Sequence, residues 1–192
     1  MKNIATICTL LFILALTIAG QESKCTLKCA QLKQAAELYG LRIGMTLEQV
    51  KVVVPSLHPG PADDLGFSTT SFSPDFNPQI DKVVFAGVRT ITLEFLDGKL
   101  FTLWIGFNSS YKWKTLDDFV PGMSGALGLP ANTWLVNSLK PIVECEDFVI
   151  SASMIGQGPS IHITDRTAKE LWEQRRAEKE ERRSEQEKDE PS

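Results

Sequence analysis

Few residues of this 192-residue chain could do chemistry, and two of them are histidines. His162 alternates with Ile161 and Ile163, so in a strand its imidazole faces away from their side. The nearest carboxylate is Asp165, and one imidazole with one carboxylate falls short of a metal's donor set. His58 stands beside Pro59 and Gly60 and reads as a loop residue. Ser124, in Gly122-Met123-Ser124-Gly125, lacks the flanking glycine spacing of a nucleophile elbow. Asp63-Asp64 and Asp117-Asp118 are sequence neighbours whose side chains diverge, so neither pair can flank a scissile bond as acid and base. The first pair reads as loop solvation, the second as complement to the positive end of a helix. Asp97-Gly98-Lys99 is turn chemistry, and no glycine-rich phosphate signature occurs. The sequence therefore points away from an enzyme, and no metal or cofactor is expected.

What remains is aromatic. Trp104 falls on the polar side of an alternating strand, and Tyr111 and Trp113 follow in the polar segment 108–114. Exposed tryptophan and tyrosine are common anchors of protein interfaces. These three are the candidate partner-binding residues, and the expected partner is another protein. The chain has no basic patch interleaved with aromatics, which argues against nucleic acid.

The elements that must position these residues start with a helix expected within 27–39, where Leu32, Ala35, Ala36 and Tyr39 share one helical face and Gly40 terminates it. A second helix is predicted over 47–54. Thr46 and Gln49 form a capping box, Met45 and Val50 occupy the staple positions, and Pro55 stops the run. The proline-rich stretch 56–81 is mostly loop, with one strand over 66–72.

Residues 88–107 are two alternating runs around Asp97-Gly98, a hairpin. A two-residue turn would pair Phe95 with Leu100 and leave both faces half apolar. A three-residue loop, Leu96-Asp97-Gly98 with Gly98 left-handed, instead pairs Leu93 with Phe101 and Ile91 with Leu103. The second is preferred, and it sets Thr90 opposite Trp104 and Glu94 opposite Leu100. Another helix begins at Thr115 and is broken or kinked at Pro121-Gly122. Strands follow over 143–154 and 160–164, and a charged helix enters at Asp165 or Thr167 with Ala168, Leu171 and Trp172 as its anchors. No apolar residue follows Ala177, so 177–192 should be a solvated helical or disordered tail. Thr46-Leu47-Glu48-Gln49-Val50 and Thr115-Leu116-Asp117-Asp118-Phe119 echo one another, a hint of a tandem α-β repeat.

Residues 1–20 carry one cation, an apolar run and small residues at their end, the pattern of a signal peptide cut after Ala19 or Gly20. The apolar run is about 15 residues, shorter than the roughly 20 that span a bilayer, so no membrane insertion is expected after cleavage. The destination is periplasmic or secreted. A single α+β domain is expected over 21–176. The net charge is -4, yet 18 of the 44 charged residues lie in the last 28 positions, which leaves the domain itself charge-poor. Export exposes Cys25, Cys29 and Cys145 to oxidation, which implies one disulfide and one leftover thiol. A long-range bridge from Cys145 to Cys25 or Cys29 is preferred, with local Cys25–Cys29 pairing as the alternative.

The run Gly44-Met45-Thr46-Leu47-Glu48-Gln49-Val50 resembles the start of small bacterial envelope proteins of the outer-membrane-assembly lipoprotein (SmpA/OmlA) type, with the related beta-lactamase-inhibitor-like fold. The resemblance implies helices on one face of a curved antiparallel sheet and a protein-binding role. This chain departs from the pattern in lacking the lipid-attachment cysteine and in its charged C-terminal helix. The expected function is a non-enzymatic binding or scaffold module of the cell envelope. A secreted enzyme inhibitor is the alternative, and a hydrolase ranks third.

Overall fold

Threonine caps open two of the three helices, as the sequence implies. In the computed structural model, which describes residues 37–110, 112–130, 133–137, 140–156 and 158–189, α1 spans Leu47–Val53. Thr46 Oγ1 accepts from Gln49 N at 3.4 Å, and Gln49 Oε1 accepts from Thr46 N at 2.8 Å, completing the capping box. Thr115 caps α2, Leu116–Ala126, by accepting from Asp118 N at 3.2 Å. Asp165 Oδ1 accepts from Ala168 N at 2.8 Å at the start of α3, Arg166–Asp189.

Of the break or kink expected at Pro121, the break does not occur: α2 runs through it. The proline's missing N–H would have bonded the carbonyl of Asp117, and both residues are exposed, where water can satisfy that oxygen. The helix expected over 27–39 is also corrected where it can be seen. Glu37–Leu38 forms β1 and Leu41–Arg42 forms β2, a small hairpin turning through Tyr39 and Gly40 at φ 57° and 76°. Leu38 and Leu41 are buried as a cross-strand pair, and Tyr39 stacks on Phe85 at 5.2 Å. That packing outweighs the helical stripe; residues 27–36 lie outside those described.

Seven antiparallel strands make the main sheet: β3 Phe67–Phe72, β4 Val88–Leu96, β5 Lys99–Phe107, β6 Leu135–Asn137, β7 Lys140–Glu144, β8 Phe148–Ile155 and β9 Gly158–Asp165. Their order across the sheet is β3-β4-β5-β9-β8-β7-β6, and the sheet is open. Each capped helix precedes an antiparallel meander, three strands after α1 and four after α2, and the meanders join through β5 and β9. The single strand expected over 143–154 is two strands. Glu146 and Asp147 turn the chain, and Cys145 N donates to Phe148 O at 2.9 Å.

The β4–β5 hairpin corrects the expected register. Leu96 pairs with Lys99, so the turn is the two-residue Asp97-Gly98, both left-handed at φ 50° and 74°. Such a turn matches the twist of its strands. Phe95 pairs with Leu100, but the next pair is Glu94 with Thr102, which leaves Phe101 as the extra residue of a bulge. Past the bulge Leu93 faces Leu103, Ile91 faces Ile105 and Thr92 faces Trp104. The demand that apolar residues share a face was sound, but the bulge meets it on β5 instead of the turn.

The bulge also decides what each face carries. Leu100, Leu103, Ile105 and Phe107 point into the main core with Val50 of α1 and Phe119 and Met123 of α2. Phe101 is buried yet lies outside that core. It joins Phe67 and Trp172, with ring centroids 6.2 and 6.3 Å from Phe101 and 5.3 Å between Phe67 and Trp172. Phe67 shares its side of β3 with Thr69 and Ser71, opposite Glu94 and Thr92 of β4. Trp172 therefore seats α3 on the outer face, so the helices do not all pack on one side as expected.

The docking of α3 also runs further than its apolar anchors. Arg175 grips Asp97 through two bonds of 2.9 Å and donates to Leu65 O at 2.8 Å, and Lys179 reaches Asp64 at 2.7 Å. Leu171, an expected anchor, is 40% exposed. Helix continues unbroken through 177 to Asp189, with an Arg183–Glu187 ion pair at 3.3 Å.

Candidate functional site

Alternation along the strands puts one row of side chains across the middle of the outer face. Successive registers align Ser71, Thr92, Trp104, His162, Ser151 and Ile142, ending at Leu135 on the edge strand. Trp104 has the largest side chain in that row and is half-buried. Its direct cross-strand neighbours are polar, Thr92 on one side and His162 on the other, unusual surroundings for so large an apolar ring.

Gly106 explains how the ring sits. A methyl group on Gly106 would lie 2.5 Å from the tip of the indole and 2.9 Å from a guanidinium nitrogen of Arg89. The ring thus leans over Gly106 and away from Thr102. The space it vacates is a shallow basin of about 380 Å³ lined by Thr92, Glu94, Thr102, Trp104 and His162.

Electrostatically the basin is lopsided. Burial, then the charges of Lys169 and Lys140, hold the His162 imidazole below its ordinary value. At neutral pH the ring is uncharged and can donate or accept a hydrogen bond. Thr164 Oγ1 lies 3.3 Å from its Nε2. Thr92 Oγ1 shares a 2.8 Å bond with Ser71. Glu94, half-buried, is the one formal charge on the basin's wall.

The other residues singled out in the sequence have structural partners. Trp113, the other described candidate anchor, is half-buried against the core. Its ring packs on Phe107 and Phe119 at 5.3 and 5.1 Å and rests against Gly122, whose hydrogen leaves it room. Tyr111 lies outside the described residues, as do Cys25 and Cys29. Ser124 is buried, donates to Val120 O at 2.9 Å and accepts from Trp134 Nε1 at 2.6 Å, so its hydroxyl is a packing bridge. His58 Nδ1 lies 2.8 Å from Ser56 O. Asp63 closes its loop by accepting from Leu65 N and Phe67 N, and Asp118 accepts from the Thr115 hydroxyl.

Thr92, Glu94 and Thr102 are the basin residues that sequence reasoning did not single out. Their signal was strand parity with Trp104, which the expected register kept, although it set their cross-strand partners two residues away from those observed. Among the described residues, no group of three or more His, Cys, Asp or Glu side chains could hold a metal ion, and no helix is long and apolar enough to cross a membrane. No family model, curated protein or solved structure matches the chain.

Proposed function

We propose that this chain is an exported protein-binding module of the cell envelope that works through the outer face of its sheet. One observation carries the reading: Trp104, half-buried on the outer face between Thr92 and His162, stands beside an open basin. Burying the rest of such a ring is a strong contribution to a protein interface, where truncating a tryptophan anchor often costs about 2 kcal/mol or more. Catalysis is the weaker reading, because the basin is shallow and open and its one carboxylate and one imidazole make no hydrogen bond with each other. A secreted inhibitor would use the same face, and the basin favours it equally. The resemblance of 44–50 to envelope-assembly and inhibitor-like proteins belongs to this proposal. So does a tandem repeat, which two capped helices each leading into a meander support.

Export is part of the same reading. Cys145 is buried and enters the structure as half of a disulfide, which supports the bridge expected to Cys25 or Cys29. Exported chain should have lost about 2 kDa with residues 1–20 and carry one blocked thiol pair; three free thiols would overturn it. Binding is tested by cross-linked capture from an envelope fraction, comparing the mature chain with Trp104→Ala. A protein held by the first and lost from the second is expected. Identical capture by both would refute the outer face as the binding surface.

A further inference from the structure

Glu94 makes no hydrogen bond or ion pair with any described residue, although it is half-buried on the basin's wall. The other lining groups are uncharged: two threonine hydroxyls, an indole and the imidazole of His162. Across the turn, by contrast, Asp97 and Asp64 are both taken up by cations of α3. The two lysines that act on His162 do not line the basin, and Lys169 is held 3.6 Å from Glu173.

We infer that the basin accepts a cationic side chain of the partner, an arginine above all, with Glu94 taking the guanidinium and Trp104 stacking on it. The inference rests on the protein-binding reading above and names what that face recognises. Charge complementarity carries it, because a carboxylate left without a counter-ion beside an aromatic ring is completed by a cation. A guanidinium suits both walls: it donates paired hydrogen bonds to a carboxylate and is drawn to the face of an indole. Glu94 and Trp104 sit on adjacent rungs of neighbouring strands, Glu94 beside Thr102 and Trp104 beside Thr92. Such diagonal neighbours are within reach of one long side chain. The threonine hydroxyls can accept from the remaining guanidinium hydrogens, and a neutral His162 adds no repulsion.

The test is a titration of the full mature chain, followed by the NMR signals of the Trp104 indole N–H and the amides of Thr102 and His162. The probes are Gly-Arg-Gly, its citrulline counterpart, which has the same shape without the charge, and cellobiose as a neutral polyol. Saturable shifts with the arginine peptide, at least tenfold weaker binding of the citrulline peptide, and at least tenfold loss in Glu94→Gln are expected. Equal binding of the two peptides, an undiminished Glu94→Gln, a response to cellobiose alone, or no response to any probe would each overturn the inference. Capture from the envelope fraction separates the two readings. Dependence on Trp104 but not on Glu94 would keep the protein-binding face and discard the cation, whereas indifference to both would discard the face itself.

Discussion

At the scale of single residues, Trp104 and Gly106 act as a pair. The indole leans over Gly106 because that residue has no side chain, and the basin on the Thr102 side exists because the ring leans away. Gly106 has ordinary negative-φ strand backbone, since it is absent from the left-handed glycines, so an alanine there meets only the ring tip and Arg89. Gly106→Ala is therefore expected to push the indole toward Thr102 and abolish partner capture, while lowering the melting temperature by only a few degrees. A crystal structure of the variant with the ring unmoved would contradict this. Gly158 is a different case: its φ is 134° and an added methyl group would fall 2.3 Å from the backbone oxygen of Phe107, so only glycine fits. Much of the residue-level reading was available from sequence. Both threonine caps and the outward face of His162 followed from local pattern. The inward turn of Trp113 did not, because it depends on Phe107, Phe119 and Gly122 meeting in space.

At the scale of elements, the β4–β5 hairpin and α3 depend on one another. The bulge at Phe101 sends that ring to the outer face, and Trp172 covers it together with Phe67. The two-residue turn then presents Asp97 to Arg175. Parity of the apolar residues was legible in the sequence, but the position of the irregularity was not, since a bulge on either strand satisfies the same pattern. Docking of α3 past Ala177 was likewise hidden, because Arg175 and Lys179 find carboxylates 78 and 115 residues away along the chain.

Trp172→Ala should expose Phe67 and Phe101 and cost roughly 2 kcal/mol, a partial version of the loss at a buried tryptophan. Truncation after Ala177 removes three exposed ion pairs, one of them to Asp64, and helix in solvent, and should leave the melting temperature within a few degrees. A truncation more damaging than Trp172→Ala would mean that the tail does more than reach Asp64. Acid adds a separate check on the same contact. Hydrogen bonds from Arg175 and Lys179 hold the Asp97 and Asp64 carboxyls below their ordinary value. A lowered carboxyl gives docking its full support above the ordinary aspartate value of about 3.9, and that support is lost as pH falls through the lowered values. Limited proteolysis of α3 should accordingly rise only below about pH 4, and in the Asp97→Asn variant it should already be raised at neutral pH.

At the scale of the whole molecule, the sheet has two unlike faces. One is closed by α1, α2 and the apolar rows of β4, β5, β8 and β9. The other carries hydroxyls, is covered by α3 at the hairpin end, and holds Trp104 near its middle. The helix starts at Thr46 and Thr115, the β4–β5 hairpin and the separation into an apolar and a polar side could be read from local pattern, whereas the β1–β2 hairpin, β6 and the split of β7 from β8 could not. The placement of α3 on the polar side could not either, because the aromatic partners of its anchor Trp172, Phe67 and Phe101, lie far away along the chain. The proposed function rests on Trp104 standing outside the core while its neighbour Leu103 stands within it. The most direct measurement is the unfolding free energy of Trp104→Ala beside Leu103→Ala in denaturant. Leu103→Ala should lose about 3 kcal/mol, as for a fully buried leucine, while Trp104→Ala should lose less than about 1 kcal/mol, the range of surface changes. Equal losses from the two substitutions would place Trp104 in the fold's own packing and remove the ground for a binding face.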